Sequence, residues 1–278
     1  MDARSGRTLL LALAFCASSL AAAEPEPTPS RDAVPDNPVL NDKYNYEVGA
    51  WWATTATEAG LSGSAGGPSV VVSFEDTLGL EDREWNPTAS FTWRIGERWR
   101  LDAQYFNWNR TAVNTLATEV EWGDQVYPVG TTVTSAYDFT DTRVGAGYSF
   151  FRRKDKELGV GIGLHLASFD ASVEATGLGA SEGDVLAPLP VLSLYGAFAL
   201  TDEWALRVRT DWLSIDYGDY AGDVRDTTID VLFQPYRHVG FGMSLRTLVV
   251  DVEMESEDWT GRARTVYYGP AATVRMSF

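Results

Sequence analysis

The sequence has 278 residues, a formal net charge of −17 at pH 7, and an aromatic content of 10 Trp, 12 Tyr and 12 Phe. The acidity argues against nucleic acid as a partner, because its phosphates would be repelled. If Cys16, the single cysteine, is removed with the N-terminal segment, the mature chain has no disulfide, no thiolate metal site and no cysteine nucleophile.

The N-terminal segment has the three regions of a secretory signal peptide. Two arginines supply positive charge, residues 9–15 form an apolar run, and small residues precede a cleavage position after about Ala23. The apolar stretch is shorter than the roughly 18 to 20 residues that a spanning helix needs, so we expect residues 1–23 to be cleaved off. Acylation at Cys16, as in a lipoprotein, is the alternative, although a bulky phenylalanine precedes this cysteine where a small residue is required.

The next segment is rich in proline. Residues 24–41 contain five prolines together with Ser, Asp and Asn, so they can bury little apolar surface. We therefore expect a flexible leader over residues 24–43 and one barrel domain over residues 44–278.

Beyond residue 44 the dominant sequence period is two, which is typical of β-strands with two different faces. In the last segment the apolar face carries Tyr268, Val274, Met276 and Phe278, whereas the intervening positions carry Gly, Ala, Thr, Arg and Ser. The same alternation recurs in residues 90–95, 143–150, 158–167 and 204–209. The polar face is rich in Gly and Arg rather than in Lys and Glu, as expected for side chains inside a narrow barrel whose apolar face meets lipid.

Connection lengths indicate how the strands are oriented. Short connections at residues 96–97, 152–157, 201–203 and 236–238 alternate with longer, acidic ones, as periplasmic turns and external loops do in outer-membrane barrels. We predict an all-β fold, a transmembrane antiparallel β-barrel of ten strands, at residues 44–56, 86–96, 98–110, 133–151, 157–173, 187–200, 204–217, 225–236, 239–254 and 263–278. Eight or twelve strands are the alternatives, because the run at residues 70–74 resembles a further strand; we assign it to the first external loop.

The C-terminal strand carries a resemblance to known proteins. It ends in Phe278, with Val274 and Met276 alternating before it and Tyr268-Gly269 upstream. This pattern resembles the terminal signal that the outer-membrane assembly machinery recognises. Together with the signal peptide and the strand pattern, the chain resembles the small outer-membrane β-barrel proteins of Gram-negative bacteria. The resemblance implies a multi-pass outer-membrane location, with membrane lipids, lipopolysaccharide and the assembly machinery as partners.

Charged residues fall on the face that we assign to the lumen. We predict a lumen charge network made of Glu47, Arg94, Arg98, Arg100, Asp102, Arg143, Arg207, Arg209, Asp211, Asp230, Arg246 and Arg275. An isolated buried ion costs several kcal/mol or more, so these charges must be paired or hydrated. Two interpretations remain open: an interlocked ion-pair network that fills the barrel, or unpaired arginines along a narrow path that favours anions.

The sequence contains no strong motif for a catalytic site or for a metal site. The outer-membrane phospholipase pattern needs His and Ser two positions apart, but Ala167 occupies that position after His165. The aspartyl proteases of ten-stranded barrels need a histidine at the outer rim, whereas His238 lies in a predicted periplasmic turn. We expect no catalytic residues, no metal and no cofactor, and His165 as a hydrogen-bonded lumen residue. Acidic residues are expected in solvated external loops: Glu75, Asp76, Glu81, Asp82, Asp216, Asp219, Asp223, Asp226, Asp251, Glu253, Glu255, Glu257 and Asp258.

Aromatic residues are interpreted as girdles at the membrane interfaces. The set comprises Trp51, Trp52, Trp85, Trp93, Trp99, Tyr105, Trp108, Tyr148, Trp204 and Trp212. Our first functional hypothesis is a non-enzymatic barrel with a structural or surface-binding role through its external loops. A narrow channel for small, anionic solutes is the alternative, and an outer-membrane lipid hydrolase ranks third.

Overall fold

The computed structural model describes residues 34–62, 71–217, 220–255 and 260–278; the side chains of residues 216–220 and 254–260 are not described. The predicted signal peptide and the first part of the leader lie outside these residues. No helix in the described part of the chain is long and apolar enough to cross a membrane.

Ten long strands form the wall of the molecule, and three short strands lie between them. The elements are α1 (Pro38–Asn41), β1 (Tyr44–Leu61), β2 (Val72–Ser73), β3 (Arg83–Ile95), β4 (Trp99–Thr115), β5 (Val120–Trp122), β6 (Gln125–Tyr127), β7 (Thr132–Arg152), β8 (Lys156–Ala175), β9 (Gly179–Ala199), β10 (Trp204–Tyr217), β11 (Tyr220–Phe233), β12 (Val239–Glu255) and β13 (Thr260–Ser277).

The wall strands pair antiparallel with their sequence neighbours, and the sheet closes through β13 and β1. The closing register runs from Asn45 opposite Ser277 to Leu61 opposite Gly261. The prediction of an all-β, ten-stranded antiparallel barrel is therefore confirmed. We call the end that carries Tyr44, Phe278 and the short turns the terminal end, and the opposite end the loop end.

The strands reach further toward the loop end than the sequence pattern indicates. β8 and β9 stay paired as far as Ala175 opposite Gly179, so the long loop predicted between residues 173 and 187 is wrong. A tight turn joins these strands, and its Gly177 and Gly179 adopt φ values of +86° and +91°, which glycine tolerates best. Acidic and small residues in these strand ends conceal the apolar alternation from a pattern search.

The end of the predicted leader is ordered inside the terminal end. Asn37 caps α1 by accepting a hydrogen bond from Val39 N at 2.9 Å, and Val39 and Leu40 are buried against a small apolar cluster of β9, β10 and β11. Next to the helix, Arg237 Nη1 donates to both oxygens of Asp42, and this carboxylate raises the pKa of Arg237 above its ordinary value. Residues 34–43 therefore form a plug, and the expectation of a flexible leader fails over these residues.

The loop end is crossed by the β5–β6 hairpin. Gly123 N donates to Leu61 O of β1 at 3.2 Å, and the Tyr127 hydroxyl donates to Val173 O of β8 at 2.7 Å. Three wall strands separate β1 from β8, so the hairpin spans the mouth. Beneath it, Phe74 and Leu78 of the first loop are fully buried inside the barrel.

Candidate functional site

The middle of the lumen holds a cluster of buried and nearly buried charges. Alternate strand residues point inward, so charged residues at alternate positions meet inside the barrel. In the described part of the chain, the lumen charge cluster contains seven arginines, Arg94, Arg100, Arg143, Arg207, Arg209, Arg246 and Arg275. It contains as many carboxylates, Glu47, Asp102, Asp141, Glu157, Asp211, Asp226 and Asp230. The formal charge of the cluster is therefore balanced when His165 is neutral.

Arg143 of β7 lies at the centre of this cluster. Its Nε donates to Asp211 Oδ2 at 2.5 Å, and its Nη1 donates to Asp102. Its Nη2 donates to Ser193 Oγ at 2.9 Å. The guanidinium thus ties β7 to β4, β9 and β10, and two carboxylates neutralise its charge.

Asp226 of β11 forms the second centre. Arg209 Nη2 and Arg246 Nη2 donate to Asp226 Oδ2 at 2.8 and 2.9 Å. The sequence interpretation assigned this aspartate to an external acidic loop, which is wrong. β11 begins at Tyr220 rather than near residue 225, so Asp226 lies inside the strand and faces the lumen.

His165 lies between the two centres. Its Nδ1 is 3.0 Å from Asp141 Oδ1, and its Nε2 is 3.6 Å from Asp211 Oδ2. His165, Asp211 and Asp226 have ligand atoms within 4.8 Å of one another, the spacing of a metal site. However, the two aspartates already bind arginines, whose positive charges would repel a metal ion. This geometry therefore fits a structural histidine better than a metal ligand.

Toward the terminal end, two further arginines of the cluster make a bidentate ion pair and a stacked ring contact. Arg207 binds Glu47 with two hydrogen bonds of 2.7 and 2.8 Å, and its Nε donates to Asp230 at 2.7 Å. The Arg100 guanidinium lies 3.3 Å from the centre of the Tyr195 ring and 3.4 Å from Asp102. Planar guanidinium groups favour both geometries. The cluster is therefore held by oriented contacts as well as by net attraction.

Two further arginines complete the terminal side. Arg94 Nη1 donates to both oxygens of Glu157, at 2.6 and 2.9 Å, and Arg275 donates to Asn45 with Glu47 3.9 Å away. Arg98 does not join them, contrary to the sequence interpretation. It lies exposed beside the β3–β4 turn, where its Nη1 donates to the Tyr148 hydroxyl at 3.2 Å.

An aromatic layer lies on the loop-end side of the cluster. Trp51 and Trp108 are fully buried in it and pack against Tyr267, with ring centres 6.0 and 4.9 Å apart. The assignment of these two tryptophans to a membrane girdle is therefore wrong, since their strand positions face inward. Trp52 and Trp85 of the same predicted set do face outward and stack on each other at 5.6 Å.

The first loop closes the lumen above this layer. Glu75 binds Arg110 of β4 and accepts a hydrogen bond from Thr57 N at 2.7 Å. Phe74 contacts Trp122 of the hairpin, with ring centres 5.6 Å apart. Glu75 was expected in a solvated acidic loop, but it anchors this loop inside the barrel. The acidic positions 216, 219 and 255–258 lie outside the described side chains.

Four of the five residues of the predicted assembly signal lie on the outer surface of the barrel. Tyr268, Val274, Met276 and Phe278 are exposed on the outward face of β13 and after its end. Gly269 lies so close to β1 that an added Cβ would be 2.2 Å from Trp52 O. Its carbonyl accepts a hydrogen bond from Trp51 Nε1 at 3.2 Å. Their role in assembly remains a prediction.

Sequence reasoning missed several partners of the cluster. Asp141, Glu157 and Asp226 were absent from the predicted network, although each lies at an inward position of its strand. The alternation of strand faces would have found Asp141 and Glu157, because residues an even number of positions apart on a strand point the same way. Asp141 lies two residues before Arg143, and Glu157 lies eight residues before His165. The other histidine, His238, lies at the terminal end, where its ring stacks on Phe278 at 4.9 Å.

No family model matches the sequence, and the curated proteins give no match. Among solved structures, the outer membrane protease OmpT from Escherichia coli aligns over 85% of this chain and 97% of its own, with 9% identity and a TM-score of 0.50. The translocator domain of autotransporter NalP from Neisseria meningitidis aligns over 86% and 91%, with 8% identity and a TM-score of 0.42. Neisserial surface protein A aligns over 84% and 97%, with 14% identity and a TM-score of 0.32.

These identities relate the chain to the solved structures by fold. The predicted resemblance to small outer-membrane β-barrels of Gram-negative bacteria is confirmed at that level. The activity named for OmpT belongs to that protein.

Proposed function

We propose that this protein is an integral, multi-pass β-barrel of the outer membrane with a closed lumen, and that it acts without catalysis, in a structural or surface-binding role, through its loop end. The observation that carries the proposal is the cluster of paired charges across the lumen. Its arginines are held by carboxylates, and residues 34–43 and the first loop cover it at either end.

The outward surface supports a lipid environment. Ile162, Met243 and Leu245 point outward and are each more than 60% exposed, which a water-soluble wall would avoid. Tryptophans such as Trp99 and Trp204 lie near the strand ends, where they suit the membrane interface. We infer that phospholipid and lipopolysaccharide surround the wall, and that the assembly machinery inserts the barrel with its terminal end in the periplasm.

The absence of an enzymatic role is part of the proposal. The two histidines of the sequence are committed to Asp141 and to the backbone of Ser277, respectively. Neither lies at the loop end, where a substrate in the outer leaflet or outside the cell would arrive. A narrow anion channel has less support, because the positive charges of the lumen are matched by carboxylates rather than left to attract anions.

Planar-bilayer recording tests the closed lumen. We expect no current steps from the wild-type protein at several voltages, because the lumen charges are paired and residues 34–43 and the first loop cover the cluster at either end. The variant Arg207→Gln is recorded beside the wild type, because it removes a guanidinium that is bonded to Glu47 and Asp230. Single-channel steps whose anion selectivity falls in this variant would refute the closed lumen and establish the channel.

Labelling in intact cells tests the orientation separately. The Thr176→Cys variant, changed in the β8–β9 turn, should react with a membrane-impermeant maleimide, whereas Lys154→Cys, changed in the β7–β8 turn, should not. The reverse pattern would place the loop end in the periplasm. Equal labelling only after lysis would contradict an outer-membrane location with the loop end outside.

A further inference from the structure

An open cleft of about 360 Å³ lies at the terminal end, between the β3–β4 turn and the β7–β8 turn. Four cations line it, Arg98, Arg152, Arg153 and Lys154, together with one carboxylate, Glu97. The whole chain carries a net charge of −17, so a formal excess of three positive charges in one cleft runs against its composition. We call this feature the basic cleft, and its volume lies within the range of small-molecule sites.

The positive charges of the basic cleft are not neutralised by the protein. None of its four cations forms an ion pair in the described part of the chain, whereas Lys156 of the neighbouring strand β8 pairs with Asp155 at 3.2 Å. Arg152 donates to two main-chain oxygens, Glu97 O and, at 3.1 Å, Leu40 O. These contacts orient the guanidinium without cancelling its charge. Like charges repel one another, so an anion between them would be favoured.

One side of the basic cleft meets the outward aromatic surface of the barrel. Arg98 Nη1 donates to the Tyr148 hydroxyl at 3.2 Å, and the Tyr148 ring packs edge-on against Trp99, with ring centres 5.1 Å apart. Trp99 is 56% exposed, and Leu101 and Tyr105 continue the exposed outward face along β4. Aromatic rings at strand ends mark the level of the lipid headgroups. The Arg98 guanidinium therefore lies where a lipid phosphate would lie.

The chemistry of the cleft favours a phosphorylated headgroup. Guanidinium groups bind phosphate oxygens through paired N–H donors, and a lysine adds a mobile point charge. An excess of three positive charges matches a headgroup with two phosphates better than a zwitterionic headgroup, whose own cation would be repelled.

We propose that the basic cleft binds diphosphatidylglycerol, a phospholipid with two headgroup phosphates. The phosphates lie among Arg98, Arg153 and Lys154, and the acyl chains lie on the outward face of β4 over Leu101. This inference rests on the proposed function for its location, because a terminal end in the periplasm gives the cleft access to lipids of the periplasmic leaflet. Binding itself is a property of the purified barrel.

Native mass spectrometry of the purified protein in detergent micelles tests the site. Diphosphatidylglycerol, phosphatidylglycerol and phosphatidylethanolamine with the same acyl chains are supplied in equal amounts. We expect one diphosphatidylglycerol to stay bound to the wild type, with an affinity about tenfold or more above the affinity for either other lipid. Arg98→Gln and Lys154→Gln should each lower this affinity about fivefold, the usual contribution of one cation to anionic-lipid binding.

The matched control is Lys156→Gln. This lysine lies two residues after Lys154, but Asp155 already pairs with it, so we expect its loss to change the affinity by about twofold at most. Inorganic pyrophosphate at the lipid concentration should not displace the lipid, because the apolar contacts of the acyl chains are missing from it. Heat-modifiable migration on gels reports whether each variant is folded, and the substituted side chains at positions 98 and 154 are exposed.

Several results would overturn the site. Equal retention of diphosphatidylglycerol and phosphatidylethanolamine by the wild type would remove it, and equal retention of phosphatidylglycerol would remove the headgroup with two phosphates. Equal losses in Lys154→Gln and Lys156→Gln would mean that the diffuse charge of the terminal end attracts the lipid. Displacement by pyrophosphate would make a free phosphate the ligand. A reversed labelling pattern in intact cells would refute the proposed orientation while leaving the mass spectra unchanged, so the two proposals fail separately.

Discussion

Arg143 on β7 and Asp211 on β10 face each other through the lumen, three strands apart around the wall, with 2.5 Å between Nε and Oδ2. Both side chains are buried, at 1% and 0% exposure. A charge so far from water is stable only while its partner is present, because desolvation is costly and attraction alone offsets it. The pair therefore braces distant strands in addition to the backbone ladder between neighbours.

Removing one member of this pair should destabilise the barrel strongly. Asp211→Asn leaves Arg143 with one carboxylate and takes a partner from Arg209 and His165. We expect the free energy of unfolding to fall by about 3 to 5 kcal/mol, the usual loss when a buried ion pair is broken. Urea unfolding in lipid vesicles, followed by tryptophan fluorescence, measures it.

The matched control is Asp223→Asn, which breaks an ion pair at the surface. Its partner Arg225 is 73% exposed, so we expect a change of at most about 1 kcal/mol. Equal losses in the two variants would mean that the lumen pair is hydrated and contributes no more than a surface pair.

A double-mutant cycle on Arg94 and Glu157 tests whether these two side chains stabilise the barrel through their contact with each other. Arg94→Met and Glu157→Gln each leave one buried group without its charged partner, so each should lose about 3 kcal/mol or more. The double variant leaves neither charge behind and should lose less than the sum, by about 1 kcal/mol or more. Additive losses in urea unfolding would show that the two groups are stabilised by other neighbours instead.

The sequence was sufficient to predict the fold and all seven arginines of the cluster, with Arg98 as the one arginine wrongly added. A period of two, read from apolar residues such as Val144 and Tyr148, also assigns the residues between them to the lumen, and Arg143 follows directly. Which carboxylate pairs with each arginine could not be predicted in this way. Arg207 and Glu47 are 160 residues apart, and they meet because of the stagger between strands four places apart around the barrel.

Residues near the loop end were harder to assign for a different reason. Asp226 and Glu75 belong to acidic stretches that resemble solvated loops, and composition does not tell a charge in water from a charge opposite an arginine. Trp51 and Trp52 illustrate the same limit, since two adjacent tryptophans point to opposite faces and their type alone does not separate them.

Quenching from within the bilayer should distinguish these two tryptophans. Trp52 is 46% exposed on the outward face, whereas Trp51 is 1% exposed in the lumen. With brominated phospholipids, Trp52→Phe should therefore reduce the quenchable fluorescence, and Trp51→Phe should leave it unchanged. An equal reduction in both variants would contradict the inward orientation of Trp51 and the register of β1.

The first loop should be held in the lumen chiefly by Glu75. Its carboxylate binds Arg110, whose side chain is almost fully buried, and the loop backbone is tied to β1 by Phe74 N donating to Thr57 O at 3.0 Å. In Glu75→Gln the charge-assisted contact is lost, which costs about 1.5 to 3 kcal/mol. Local opening should become about tenfold more frequent or more, because each 1.4 kcal/mol is a factor of ten.

Hydrogen–deuterium exchange measures this opening residue by residue. Exchange should accelerate at Phe74 and Leu80, whose amides are hydrogen-bonded within this region, while the strand amides of β8 and β9 keep their wild-type rates. Asp76→Asn is the control, since this neighbouring carboxylate is exposed and should change neither set. If Glu75→Gln accelerated exchange throughout the barrel, the contact would stabilise the whole wall and the first loop would have no opening of its own.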